Sequence, residues 1–278
     1  MRIAFGTVIY EQAWEWWKEF VESLNAQTTQ EFEVLILNDG VSKEQVSLLK
    51  EVLNYDTYIY DVEKQASISE IRIQLLRIAK RMGYDLLVIG DFDDIFAKNR
   101  VESIIKRWDE DITFYYHNLQ YENSDELVFE ELPECLETIE EVLESNFLGL
   151  SNTAINLTLI NEVFINSLEN IKTNIFDWYL YSKILIAGGR GCVVENTYTI
   201  YRQQENNLAG LHVSDSKAVC KEIMIKKEHY KMLKNEFKIA EDLLKKYEEL
   251  EKYNGEHLIP YKNNEAKRYW WSNIKILQ

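Results

Sequence analysis

Proline and glycine are scarce. Two prolines and ten glycines among 278 residues leave little room for long linkers or low-complexity segments. Cysteine is also rare. Cys135, Cys192 and Cys220 are odd in number, far apart and without metal-ligand spacing, which argues against a disulfide framework and for reduced thiols in a cytosolic setting. The four histidines (His117, His212, His229, His257) include no pair at zinc spacing, so packing or surface roles are expected of them. Positive charge is short as well: 31 Lys and Arg face 47 Asp and Glu, for a net charge of −16. Such a chain is a poor ligand for nucleic acid or an anionic membrane, and an anionic substrate would need local cations. No apolar run is long enough to span a membrane, and "MRIAFGTVIYEQAWEWW" lacks the cleavage pattern of a signal peptide. A cytoplasmic location follows as the expectation, with at most peripheral association at the inner face of the membrane.

What the sequence does hold is an alternation. "IAFGTVI", "FEVLILN", "TYIYDV" and "DLLVIGD" read as strands. "AWEWWKEFVESLN", "SKEQVSLLKEVL" and "ISEIRIQLLRIAKRM" between them read as helices. Nearly continuous apolar strands separated by helices predict a parallel sheet covered on both faces. Ligands bind such sheets at the carboxyl ends of the strands. Three polar sites fall there: residues 7–10, "NDG" at 38–40, and "GDFDD" at 90–94. Further on, "ITFYYHNLQY" and "ELVFEEL" are β-prone and could pair. "NIFDWYLYSKILIAGG" is a helix with an acid near its start, and "RGCVVENTYTIYRQQENN" gives two short strands and a polar turn. From 214 to about 253 the pattern predicts one long amphipathic helix with Ser214 as N-cap. This helix is a candidate self-association surface for a homodimer. The tail pair Trp270 and Trp271 could dock on the body, bury in a dimer or touch a membrane interface.

The chemistry concentrates in "YDLLVIGDFDDIF". A hydrophobic strand runs straight into Asp91, Asp93 and Asp94. Two carboxylates at alternate positions after a strand end can share a hard divalent cation that also grips a diphosphate. An Asp-x-Asp alone is a weak signal, and Asp94 is as well suited to capping the next turn. Asp39 in "LILNDG" could be a turn acid or an acceptor for a base or ribose. Asp177 could serve the helix dipole or catalysis.

Four stretches, in order, resemble an inverting family 2 glycosyltransferase. They are "TVIYEQAWEWWKEFVESLNAQTTQEFEVLILNDG", "ISEIRIQLLRIAKRMGYDLLVIGDFDDIFAKNRVE", "FDWYLYSKILIAGG" and "YRQQENNLAG". The last two are most similar to rhamnosyltransferase-like enzymes of surface-polysaccharide synthesis. The resemblance implies an α/β protein of the GT-A (nucleotide-diphospho-sugar transferase) fold, a mostly parallel central sheet flanked by helices. Residues 1–213 would form the catalytic domain and 214–278 a C-terminal helical extension. It also implies Mn²⁺ or Mg²⁺ as cofactor, and a UDP-, dTDP- or GDP-linked sugar donor. The acceptor would be a saccharide or lipid-linked hydroxyl, attacked with inversion. Thr7, Tyr10 and Asp39 would contact the nucleoside, with Arg72 there or at the phosphates. Asp91 would face the ribose or metal, Asp93 would ligate the metal, Asp177 would be the general base, and Arg202 would neutralise the diphosphate.

Two positions depart from the family pattern. Gln204 stands where a His is common, with His212 nearby as a substitute, and Asn38 stands where an Asp is common. Two alternatives stay open. One is a haloacid-dehalogenase-like phosphohydrolase, although its Asp-x-Asp usually follows the first strand. The other is a non-catalytic nucleotide-sugar-binding scaffold.

Overall fold

The computed structural model describes residues 1–63, 65–202, 216–252 and 269–277. Its first part alternates as the sequence predicts: β1 (Ile3–Tyr10), α1 (Trp17–Asn25), β2 (Glu33–Asp39), α2 (Lys43–Val52), β3 (Thr57–Asp61), α3 (Ile68–Arg81) and β4 (Leu86–Ile89). The side chains of β1 are buried on both faces, which makes it a central strand. Ala4 and Val8 join one apolar cluster, while Phe5 and Ile9 join the other. β1 lies between β2 and β4, and all of β1 to β4 run parallel. Helices α2 and α3 start at capping boxes, Ser42 with Gln45 and Ser67 with Glu70. Each box satisfies two N–H groups that a helix start leaves orphaned.

The second part is β5 (Ile95–Phe96), α4 (Arg100–Lys106), β6 (Phe114–Tyr121), β7 (Cys135–Leu136), β8 (Thr153–Asn156), α5 (Glu162–Ser167), α6 (Phe176–Ile186), β9 (Gly191–Tyr201), α7 (Ser216–Leu233) and α8 (Lys238–Leu250). The described strands form one sheet in the order β3-β2-β1-β4-β8-β6-β9-β5, with β7 on β9. The sheet is mixed. β6 and β9 pair parallel, whereas β8 runs antiparallel to both β4 and β6. Because β8 is antiparallel to β4, the chain entering it (residues 150–152) lies beside the carboxyl end of β4. Val128 N donates to Leu119 O at 2.8 Å, so "ELVFEEL" folds back on β6 as expected.

Two expectations change. The segment after β8 and α6 holds one strand rather than two. β9 runs for 11 residues through a register shift opposite Tyr116/Asn118, with Asn196 at φ 59. The long C-terminal helix is two helices. Phe237 is extended and begins α8, and α7 and α8 pack together through Tyr230 and Tyr247, whose rings are 5.5 Å apart. The break lets both helices bury a face in the main core cluster, which a straight helix would carry past it. The Ser214 cap lies outside the described residues. α6 is apolar on all sides and sandwiched. Trp178 donates its indole N–H to Val142 O at 2.7 Å and stacks on His229 of α7 with centroids 4.1 Å apart.

All three cysteines are free thiols, but two are not apart in space. Cys135 and Cys192 face each other across β7 and β9, with sulfurs 3.1 Å apart. Val193 N donates to Glu134 O, which makes the adjacent Cys135–Cys192 pair a non-hydrogen-bonded one, where side chains come closest. A mild thiol oxidant is therefore expected to cross-link them. Intact-mass analysis should show the loss of two hydrogens in wild type and none in Cys192→Ser.

Candidate active site

Gly90 ends β4, and nothing larger fits there. An added Cβ would sit 2.5 Å from Phe5 and 2.6 Å from Phe96. The chain then turns, with Asp94 N donating to Asp91 O at 3.2 Å, and the three carboxylates part company. Asp91 accepts from Arg72 of α3 at 2.6 Å. Asp94 goes inward and is 4% exposed; burial and the charges of Asp93 and Asp91 push its carboxyl well above the usual range. The Ser151 hydroxyl bridges the turn, donating to Asp94 and accepting from Asp91 N at 3.1 Å. Asp93 is left half-buried at the cleft. Burial, then the Asp91 charge, raises its pKa to about 6, against the pull of Arg72 and Arg202.

Beneath this turn lies Arg100, fully buried. Its guanidinium donates to Ile89 O at 2.5 Å and its Nε to His117 Nε2 at 2.8 Å. His117 Nδ1 is 2.9 Å from Asn118 O and donates to it, which fixes the neutral tautomer. Burial and the Arg100 charge lower the His117 pKa to about 3.

Asp177 sits in the first turn of α6, and its Oδ1 accepts from Trp178 N at 2.8 Å. That bond and Arg72 favour the carboxylate, but burial outweighs them, with help from the Asp91 charge, and the pKa rises to about 6. Asp91, Asp93, Asp94, Asp177, Arg72 and Tyr10 line one cavity of about 260 Å³. Three distant segments thus meet at one sheet rim. The Arg72 Nη1 is a buried donor without a partner, so this cavity offers an unspent cationic N–H beside its acids.

The other predicted residues fall in different places. Asp39 is exposed and does not line the cavity, although it pairs in register with Tyr10, which does. Its neighbour Asn38 makes the turn. The Asn38 side chain accepts from Val41 N at 2.8 Å and donates to Asp61 Oδ1 at 2.8 Å. An Asp at position 38 would face the Asp61 carboxylate, which accounts for the departure from the family pattern. Thr7 is fully buried in β1, away from the cavity, and its hydroxyl has no hydrogen-bond partner. Arg202 lines the cavity but is 5% exposed and clamped, with Glu19 at 3.0 Å, Glu122 at 2.9 Å and Asp93 O at 3.1 Å. It ties the acidic turn to α1. Gln204 and His212 lie outside the described residues.

Among the described residues no three His, Cys, Asp or Glu side chains group to hold a metal ion. Asp91 and Asp93 nevertheless suit a hard cation of the Mg²⁺ or Mn²⁺ kind. Such ions take one or two protein carboxylates and complete their shell with substrate phosphates and water. The raised pKa of Asp93 marks a carboxylate whose charge the protein alone leaves poorly compensated.

Ser151 and Tyr201 also belong to the site, and sequence reasoning missed them as individual residues. Ser151 is a small polar residue in a loop and becomes visible only once β8 is seen to run antiparallel to β4. Tyr201 could have been singled out from "YRQ". Trp270 and Trp271 line the same cavity, so the tail docks on the body.

The profile of the family described as "Glycosyl transferase family 2" matches residues 6–153, more than half of the chain. No curated protein matches it significantly. Several solved structures share its fold. Residues 1–349 of S. aureus TarS are 14% identical with a TM-score of 0.58, covering 84% of this chain and 65% of that one. The mannosyltransferase PcManGT from Pyrobaculum calidifontis, in complex with GDP-Man and Mn²⁺, is 12% identical with a TM-score of 0.56, covering 90% and 69%. GalNAc-T7 with UDP, GalNAc and Mn²⁺ is 15% identical with a TM-score of 0.61, covering 90% and 54%. The chain thus spans just under two thirds of the TarS fragment. At these identities the likeness is one of fold, and that fold is GT-A. The family match runs from β1 through Arg72 and the acidic turn into β8, and on it the chain belongs to glycosyl transferase family 2.

Proposed function

We propose that the protein transfers a sugar, with inversion, from a nucleotide-diphosphate donor to a hydroxyl of a saccharide or lipid-linked acceptor, and that Asp177 is the general base. The observation that carries this is the meeting of Asp93, Asp177 and the Arg72–Asp91 pair in one cavity, with burial raising the Asp93 and Asp177 carboxyls to about 6. A base works best when its pKa lies near the working pH, and proton removal by a positioned base contributes about 10²–10⁴-fold. Trp178 N–H occupies Asp177 Oδ1, which leaves Oδ2 to take the acceptor proton. Direct attack opposite the leaving group needs no covalent intermediate.

The departing diphosphate gains negative charge, and groups that stabilise it more in the transition state accelerate the step. Arg72 is the protein cation suited to this, through its unpartnered Nη1. Asp93 and Asp91 would hold a Mn²⁺ or Mg²⁺ ion, which when bound supplies further charge at the diphosphate. Asp39 and Tyr10, at adjoining strand ends, are assigned to the nucleoside. Arg202 acts by holding the acidic turn in place, since its guanidinium is already bound to two glutamates. Family membership removes the phosphohydrolase alternative. The "FDWY" and "YRQQENN" patterns support a product among cell-surface polysaccharides, made on the cytoplasmic side. Among the described residues no helix is long and apolar enough to cross a membrane.

Four outcomes are expected. Calorimetric titration of UDP, dTDP and GDP, with and without Mn²⁺, should show metal-dependent binding of one nucleotide in wild type and no metal dependence in Asp93→Ala. Asp177→Asn should retain that binding and lose at least about 100-fold in transfer; normal transfer would remove the base assignment. The same substitution should raise the melting temperature at neutral pH. A carboxyl whose folded pKa is raised to about 6 binds more protons folded than unfolded between about pH 4 and 6, so it costs stability above that window. The relief is on the order of 1–3 kcal/mol. Finally, kcat/KM should fall as pH drops through about 6, where Asp93 and Asp177 both take up protons.

A further inference from the structure

Residues 269–277 return to the cleft and are held there by an unusual amount of buried charge. Trp270 and Asn146 exchange backbone hydrogen bonds at 2.8 and 2.9 Å. The Glu222 carboxylate, 1% exposed, accepts from Asn273 N at 3.1 Å and Ile274 N at 3.0 Å. Glu144, 5% exposed, accepts from Ile276 N at 2.8 Å and Leu277 N at 2.6 Å. Lys226, fully buried between them, pairs with Glu222 at 2.9 Å and donates to Ile274 O. Buried ions are costly unless their geometry is good and their remaining hydrogen bonds are made. Here those bonds are spent on the backbone of a short segment that has almost no regular structure of its own.

The segment delivers two indoles to the cavity. Trp271 stands at φ 61, a left-handed conformation that a bulky residue adopts only when its surroundings impose it. It remains partly exposed and packs against the cluster of Ile175, Trp178 and Ile225. Ile175 and Trp178 flank the proposed base Asp177 in sequence. Trp270 is 6% exposed, lies 3.3 Å from where a Gly149 Cβ would be, and keeps an indole N–H with no hydrogen-bond partner. A buried donor left unpaired is costly.

Resting on the transferase reading above, we propose that Trp271 is the stacking wall of the acceptor subsite, and that the acceptor is a neutral saccharide. A sugar ring has an apolar C–H face and a rim of hydroxyls. An aromatic wall and a carboxylate base are complementary to those parts. Among the described residues the cavity lining holds two cations, Arg72, assigned to the donor diphosphate, and Arg202, bound to two glutamates, which leaves none to meet an anionic acceptor.

The test uses the full chain, UDP-glucose, UDP-N-acetylglucosamine, dTDP-rhamnose and GDP-mannose in turn as donors, and octyl glycosides of glucose, galactose, mannose, rhamnose and N-acetylglucosamine as acceptors. Trp271→Ala, shown folded by its melting curve, should raise the acceptor KM by at least about tenfold for whichever glycoside wild type uses. Its donor KM should stay within about twofold of wild type, which separates an acceptor contact from a general loss of the site. Trp271→Phe should restore most of the acceptor affinity. An unchanged acceptor KM, or a donor KM that rises in parallel, would overturn the assignment of Trp271. Wild-type hydrolysis of donor without transfer to any of the glycosides would overturn the neutral-saccharide acceptor. A wild type that binds no nucleotide would instead defeat the transferase reading itself.

Discussion

Like-charge crowding at the end of β4 is the constraint around which the rest of the site is arranged. Three aspartates within four residues cannot all remain ionised in a half-buried turn without counter-charge or withdrawal. The fold treats each differently: Arg72 balances Asp91, burial and the charges of Asp93 and Asp91 suppress the charge of Asp94 against the pull of the Ser151 hydroxyl, and Asp93 is left at the opening with a weakened acidity. That division requires α3, the entry to β8 and the end of β9 to converge on a single turn. A parallel sheet alone would not bring them there. The antiparallel β8 does so for Ser151, and the long β9 does so for Arg202.

Much of this was legible in the chain. β1, β2 and β4 announce themselves as continuous apolar runs because they are buried on both faces, and the boxes at Ser42 and Ser67 mark their helices as plainly. The acidic turn could be named because it ends an apolar strand, whereas Arg72 and the catalytic reading of Asp177 came from the resemblance to the family. Asn38 was visible as a departure, but the reason for it, Asp61 on the next strand, was not.

What stayed hidden depends on partners distant in sequence. Ser151 and the Cys135–Cys192 contact depend on strand pairings that no local period encodes. The break between α7 and α8 has no proline or glycine to signal it; polar residues at 234–236 continue the helical pattern, and tertiary packing decides the bend. The tail could be recognised as aromatic, but its destination rests on Glu144, Glu222 and Lys226, which look like ordinary surface charges in sequence.

The buried Arg100 has a consequence for the acidic turn above it. Its charge lies under the acidic turn, close enough for Asp94 and Asp91 to act on it, and its partner His117 accepts the Nε–H as a neutral ring that resists protonation down to about pH 3. The counter-ion is therefore covalently resident and insensitive to ordinary changes of acidity. Zinc fingers, by contrast, depend on metal to hold their ligands together and collapse when it is stripped away. Here one counter-charge to the acidic turn is part of the chain itself.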